Sequence, residues 1–239
     1  MLMTELPGLS TGLHLLWPTP IGIHRYDAAA AFNPLLVEEL SSIREDQERQ
    51  RGVEPGGPFF ASDDDLLQRV KLDGWSRLVQ FVVNGIAQTV EQVNLDHWAG
   101  RVRELTVSLE GLWFQAARDG AAHDVHTHGN CSWSGVYIVQ IDPPSERTDH
   151  PVYGAANGVT RLYGPHFTTM GGAFVDVGNA YLQQSHLDVD QVAGQLLVFP
   201  SWLMHQAMAY GGARERVILS FNASIHGSEG DQMFDYAPR

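Results

Sequence analysis

Hydrophobic spacing divides the chain into a helical first part and a strand-rich second part. Apolar residues in the segment 33–50 recur three and four positions apart, at Leu35, Leu36, Leu40 and Ile43. This spacing predicts a helix with one buried face. A similar stripe predicts a second helix from Asp64 to about Leu95. The intervening residues 51–63 are rich in Gly and Pro, and we expect a loop there.

After residue 104 the pattern changes to short β-branched and aromatic runs separated by Gly, Pro, Asn and Asp. The runs are 105–117, 133–142, 172–177, 194–200 and 216–224. Such runs predict a β-sandwich or barrel. Residues 14–26, which contain two prolines, predict a short edge strand. Residues 142–165 are expected to loop over one end of the barrel.

These segments predict a single, mainly β domain over residues 1–239. Its helical flank would span about 30–100 and its β core about 103–226. No composition shift or linker-like stretch indicates a second domain.

Composition argues against several classes of partner. Asp and Glu number 28 against 15 Lys and Arg, a formal net charge of −13. This charge disfavours nucleic acid and anionic membrane surfaces. The single cysteine, Cys131, excludes an intrachain disulfide and favours a cytoplasmic location. No apolar run approaches the ~20 residues of a membrane span, so we expect a soluble protein without a membrane partner.

Histidines are concentrated in the segment GAAHDVHTHGN, residues 120–130. If this segment is a strand, Asp124, His126 and His128 share one face, and His123 points away. Residues i and i+2 of a strand lie about 7 Å apart at Cα, close enough for two imidazoles to share a metal ion. The alternative is a surface cluster or a set of histidines satisfied inside a polar core. A third, distant histidine favours the metal site.

That third histidine is His205, which follows the apolar run ending at Pro200. This position is expected at the mouth of the barrel, although His205 could instead cap an aromatic pocket with Trp202. Arg216, eleven residues later, begins the last apolar run. Its planar guanidinium can pair with a carboxylate through two hydrogen bonds. The alternative is a rim arginine paired with Glu215.

Three motifs stand in order along the chain. They are His126-Thr127-His128 followed by Ser134–Tyr137, then Gly194 through Pro200 to His205, then Glu215-Arg216-Val217 with Ser220-Phe221-Asn222. Together with the opening Trp17–Ile21, they resemble the bacterial and phage 2-oxoglutarate/Fe(II) oxygenases of the short double-stranded β-helix type.

The resemblance implies a mainly β fold, a double-stranded β-helix or cupin-like jelly roll with flanking N-terminal helices. It implies Fe(II) held by His126, His128 and His205, 2-oxoglutarate as co-substrate and O2 as oxidant. Arg216 would meet the far carboxylate of 2-oxoglutarate, with Tyr137, Ser220 and Asn222 hydrogen-bonding nearby. The products would be succinate, CO2 and a hydroxylated small-molecule or peptide substrate.

Two positions depart from the family pattern. His128 stands where most members carry Asp or Glu, and Asp124, on the same predicted face, could supply the carboxylate instead. Ile218 stands where relatives often place a serine, so Ser220 or Tyr137 would have to replace its hydrogen bond.

Two other functions stay open at this point. Gly120, the histidine pair, Gly194, Pro200 and His205 also resemble the cupin motifs, which would imply a metalloenzyme that does not use 2-oxoglutarate. A non-catalytic metal-binding module is the third interpretation, prompted by the missing carboxylate. The prime substrate and any homo-oligomer are left open by the sequence.

Overall fold

The structure is a computed structural model that describes residues 19–98, 104–164 and 186–227. The strands in these ranges are β1 (Gly22–Arg25), β2 (Phe59–Ala61), β3 (Leu105–Ala117), β4 (Ala121–His126), β5 (Trp133–Gln140), β6 (Thr160–Tyr163), β7 (His186–Val189), β8 (Gln195–Pro200), β9 (His205–Tyr210) and β10 (Arg216–Gly227). The helices are α1 (Ala29–Arg51), α2 (Leu66–Arg69), α3 (Trp75–Trp98) and α4 (Pro144–Arg147), with a 3-10 turn at Gly154–Ala156.

The larger sheet has the strand order β1-β8-β5-β10-β3-β2. Within it, β10 pairs antiparallel with β3 from Arg216↔Ala117 to Gly227↔Leu105, and with β5 on its other side. Because side chains alternate along a strand, β10 presents two faces. Its inner face carries Arg216, Ile218 and Ser220, and its outer face carries Val217, Leu219 and Phe221.

The smaller sheet has the order β4-β9-β6-β7 and lies against the inner face of the larger one. Their shared core contains Val136, Ile138 and Ile218 from the larger sheet, with Leu162 and Tyr210 from the smaller. Two facing antiparallel sheets of this kind form a double-stranded β-helix. The fold predicted from the sequence is therefore confirmed.

Helices α1 and α3 cover the outer face of the larger sheet. Leu36 and Leu40 of α1 and Ile86 of α3 are almost completely buried in one cluster with Tyr137 and Leu196. Each such apolar side chain contributes about 1.5–3 kcal/mol when it leaves water. The apolar stripes predicted for the two helices therefore do serve as the contact with the sheet.

The second predicted helix is wrong in its first part. Residues 64–74 contain only the short α2, after which Val70 is extended and Gly74 takes a positive φ of 97°. That left-handed conformation suits glycine and interrupts a helix, so α3 begins at Trp75. The predicted loop 51–63 is also partly wrong, because it contains β2, which pairs with β3.

Four strands in the described ranges were not predicted: β2, β6, β7 and β9. The strand β6 lies within the predicted loop 142–165 and pairs with both β7 and β9. The edge position predicted for the first strand is confirmed, since β1 ends the larger sheet beside β8. The predicted strand 172–177 and residues Trp17 and Pro18 lie outside the described residues, and the single-domain extent stays a prediction.

Neither α1, α3 nor any shorter helix in the described ranges combines the length and apolar character that a bilayer-crossing helix requires.

Candidate metal centre

Three histidines from two adjoining strands and a loop converge inside the β-helix. His126 ends β4 and is the register partner of His205, the first residue of β9. His128 lies just beyond β4, where its backbone N–H donates to the Ser201 carbonyl at 3.0 Å. One ligand nitrogen of each imidazole lies within 4.8 Å of the others. The predicted convergence of these three residues is therefore present.

Backbone carbonyls orient two of the rings. Nδ1 of His126 lies 2.6 Å from the Asp124 carbonyl oxygen, and Nδ1 of His205 lies 2.9 Å from that of Leu203. A carbonyl only accepts, so each Nδ1 carries the proton and donates it. In the neutral form of each ring, Nε2 is then the nitrogen available to a metal, a tautomer arrangement common among metal-ligating histidines.

The surroundings keep two of the imidazoles neutral. Burial, reinforced by the other histidines, lowers the pKa of His205 to about 3 even though the Leu203 hydrogen bond opposes this shift. Burial and the charges of His126 and His123 lower the pKa of His128 to about 4. Metal binding requires the neutral imidazole, so at neutral pH protons do not compete for these two positions.

The three histidines line a cavity of about 360 Å³, which also contains Arg216. Arg216 is only 2% exposed, and none of the described residues forms an ion pair with it. Its Nε and Nη2 donate to Oε1 of Gln191 at 3.1 and 2.7 Å. Burial, with a smaller effect of Arg147, lowers the pKa of Arg216 to about 10. The cavity therefore contains a guanidinium that is charged at neutral pH and has no carboxylate partner in the described part of the chain.

The other predicted co-substrate residues lie in different places. Ser220 lines the cavity four residues from Arg216 on the same face of β10, and its contact with the co-substrate stays a prediction. Tyr137 faces the opposite side of the sheet, where its hydroxyl donates to Oδ1 of Asn33 at 2.7 Å, so the predicted contact with the co-substrate is not present. Asn222 is not among the cavity-lining residues, and its Oδ1 accepts a hydrogen bond from Ser134 at 2.9 Å.

The predicted face of β4 is wrong because the strand contains a bulge. The register advances three residues on β4, from His123 to His126, against two on β9, from Ala207 to His205. An extra residue shifts the alternation of side chains, so Asp124 is exposed and His123 faces the cavity. Nδ1 of His123 lies 3.1 Å from Nδ1 of His126. The carboxylate of Asp124 is not part of the three-histidine cluster.

Sequence reasoning missed three residues of this site. Gln191 lies in the turn before β8, Thr160 begins the unpredicted β6, and Asp64 lies in the loop before α2. Thr160 and Asp64 line the cavity, and Gln191 contacts its guanidinium. None belongs to a periodic apolar pattern or to one of the recognised motifs, so no sequence signal indicated their role.

Comparison with known proteins agrees with this geometry. Residues 111–222, from β3 into β10, match the model of the family described as "Putative 2OG-Fe(II) oxygenase". The matched segment, 112 of the 239 residues, is similar to this oxygenase family. The match and the three-histidine cluster together identify an oxygenase that uses Fe(II) and 2-oxoglutarate, and the matched segment contains all three histidines and Arg216.

Solved structures resemble the oxygenase at low sequence identity. A prolyl-4-hydroxylase of Pseudomonas putida has a TM-score of 0.48 and 14% identity, covering 87% of this chain and 94% of its own. HygX of Streptomyces hygroscopicus, solved with nickel and 2-oxoglutarate bound, has a TM-score of 0.47 and 10% identity, covering 86% of this chain and 83% of its own. A search of curated proteins found no significant match. Neither structural likeness bears on the substrate of this oxygenase.

Proposed function

We propose that His126, His128 and His205 hold the Fe(II) of this oxygenase, and that Arg216 binds the 2-oxoglutarate carboxylate farther from the metal. The donor set supports the first part, because imidazole suits iron. Metal–nitrogen bonds of about 2.1 Å bring three such nitrogen atoms to one ion after small side-chain rotations from their present separation of up to 4.8 Å. Three protein ligands leave positions free for other ligands.

The observation that carries the proposal is the guanidinium of Arg216 in the cavity of the three histidines, where no described residue forms an ion pair with it. A buried charge is costly unless it is paired and hydrogen-bonded. The amide oxygen of Gln191 accepts two of its hydrogen bonds but supplies no negative charge. A dicarboxylate that reaches from the metal to Arg216 would supply that charge and fill the inner part of the cavity.

When bound, Fe(II) and 2-oxoglutarate supply an oxidation in which O2 is consumed, succinate and CO2 are released, and one oxygen atom enters the substrate. The side chains of the oxygenase bind and orient. Ser220 and Thr160 offer hydroxyl groups in the cavity, and Val136, Phe199 and Ile218 give it apolar walls. These walls restrict access of water to the reacting groups.

The partner and location proposals rest on composition. A net charge of −13 supports a substrate other than nucleic acid, either a small molecule or a peptide. One cysteine in 239 residues supports a cytoplasmic location.

The proposal is tested by 2-oxoglutarate binding to the Fe(II)-loaded protein under anaerobic conditions. Arg216→Met should weaken binding by at least about tenfold, because hydrogen bonds to charged groups contribute ~1.5–3 kcal/mol. The control is Arg161→Gln, which removes a guanidinium that pairs with Asp188 on the outer side of the smaller sheet. Equal dissociation constants for the parent and Arg216→Met would refute the role of Arg216. Retention of Fe(II) by the variant shows that the site is still folded.

A further inference from the structure

Three consecutive aspartates, Asp63, Asp64 and Asp65, differ in their partners. Asp63 pairs with Arg51 at 2.6 Å, and Asp65 pairs with Arg69 at 2.7 Å. Asp64 has no cationic partner within the described ranges. Its Oδ1 accepts a hydrogen bond from the backbone N–H of Leu112 at 2.5 Å. The middle carboxylate is therefore fixed in position through one oxygen and leaves the other for a ligand.

Among the described residues that line the cavity, Asp64 is also the one carboxylate. It lies where a side chain of residue 111 would be, since a Cβ added to Gly111 would come within 2.6 Å of Oδ2 of Asp64. Gly111, Trp113 and Gln115 lie on the same face of β3, because every second residue of a strand points to the same side. Trp113 and Gln115 line the cavity. The absence of a side chain at Gly111 thus makes room for the Asp64 carboxylate on the cavity face of β3, next to Trp113.

The cavity consequently has charges of opposite sign at its two ends. Gly111 pairs with Asn222 of β10, six residues beyond Arg216. At about 3.4 Å per residue this separation is roughly 20 Å along the strand. Between them, the indole of Trp113 lies 6.1 Å from the ring of His128. An anion is favoured at the Arg216 end and a cation at the Asp64 end.

We propose, building on the assignment of the Arg216 end to 2-oxoglutarate, that Asp64 binds an ammonium group of the prime substrate. The substrate class is a primary amine on a short chain. Its charge would pair with Oδ2 of Asp64, and the indole face of Trp113 would add a cation–π attraction. The formal net charge of −13 favours the approach of such a cation.

The test compares n-butylamine with its neutral counterpart 1-butanol as ligands of the Fe(II)- and 2-oxoglutarate-loaded protein, by anaerobic ligand-observed NMR titration. The parent should bind n-butylamine about fivefold more tightly than 1-butanol, a factor that corresponds to the ~1 kcal/mol of a partly exposed ion pair. Asp64→Asn should abolish this preference while its Oδ1 still accepts the Leu112 N–H. Asp63→Asn, the matched control with the same change of charge one residue away, should keep it.

Equal affinities for the two probes in the parent, or an unchanged preference in Asp64→Asn, would overturn the proposal. If Asp64→Asn fails to fold, Gly111→Ala tests the same role of Asp64. The Cβ of the new alanine must displace the Asp64 carboxylate, so the preference for n-butylamine should fall. Repeating the titrations without 2-oxoglutarate separates the two proposals. If the parent does not bind 2-oxoglutarate, the proposed role of Arg216 is refuted. The preference for n-butylamine over 1-butanol, measured without 2-oxoglutarate, reports on Asp64 alone.

Discussion

Gln191 accepts two hydrogen bonds from Arg216 on one oxygen atom, from Nε at 3.1 Å and from Nη2 at 2.7 Å. The amide nitrogen of Gln191 donates to the hydroxyl of Thr160, which fixes the amide with its oxygen toward the guanidinium. Because that oxygen carries no formal charge, Gln191 orients Arg216 without neutralising it. The guanidinium stays available to an anionic ligand.

The contact between Gln191 and Arg216 predicts that a carboxylate at position 191 would weaken 2-oxoglutarate binding, whereas the native amide supports it. Gln191→Glu should pair with Arg216 and raise the dissociation constant of 2-oxoglutarate by about tenfold or more, because the new carboxylate competes with the ligand. Gln191→Ala should have a smaller effect, since it removes orientation but adds no competing charge. Anaerobic titration of the Fe(II)-loaded variants measures both constants.

The control for this charge change is Gln68→Glu, on the exposed side of α2. If Gln191→Glu binds 2-oxoglutarate as tightly as the parent, Arg216 does not contact the co-substrate.

A second prediction separates ligands of the metal from a neighbouring histidine. His205→Ala should weaken Fe(II) binding beyond the roughly 10–100-fold that loss of an outer-shell partner causes. His123→Ala should weaken it by about tenfold or less, since His123 contacts His126 but lies outside the three-histidine cluster. Competition with a chelator gives both affinities. Equal losses in the two variants would place His123 among the ligands.

The sequence could predict that the three histidines and Arg216 belong to one site. It could not predict, for every strand that carries them, which side chains face that site. The bulge between His123 and His126 changes which side chains share a face, and a bulge leaves no mark in hydrophobic spacing. Strand β5, WSGVYIVQ, is buried on both faces, so its apolar run lacks the alternation that would have directed Tyr137 outward. Gln191 and Asp64 lie in connecting segments, which have no period at all.

A third prediction follows from the observed position of Tyr137. Tyr137→Phe removes the hydrogen bond to Asn33 in the buried helix–sheet contact, so the free energy of unfolding should fall by about 1 kcal/mol with 2-oxoglutarate affinity unchanged. Ser220→Ala, on the inner face, should instead weaken 2-oxoglutarate binding by about threefold. Chemical denaturation and ligand titration on both variants distinguish the outcomes. A large loss of 2-oxoglutarate affinity in Tyr137→Phe would contradict the assignment of that side chain to the outer face.

The last prediction concerns Asp142, a buried carboxylate at the end of the larger sheet. It is 2% exposed and accepts hydrogen bonds from the backbone N–H of Ala213 at 2.6 Å and from Nε of Arg214 at 2.8 Å. Burial alone would raise the pKa of Asp142, but the hydrogen bonds from Arg214 and Ala213 together outweigh it and hold the pKa below its ordinary value. The charged form of Asp142 therefore stabilises the folded state.

A carboxyl group whose pKa is lower in the folded state contributes fully above its unfolded-state pKa of about 3.9. That contribution is lost as the pH falls through the folded-state value. Asp142→Asn should thus lower the free energy of unfolding at pH 7 by about 1–3 kcal/mol, and the difference from the parent should narrow between about pH 5 and pH 3. Urea unfolding at several pH values measures this difference in the free energy of unfolding. The control is Asp46→Asn, because Asp46 forms an exposed ion pair with Arg49. A difference that does not change with pH would show that the charge of Asp142 is not what stabilises this end of the sheet.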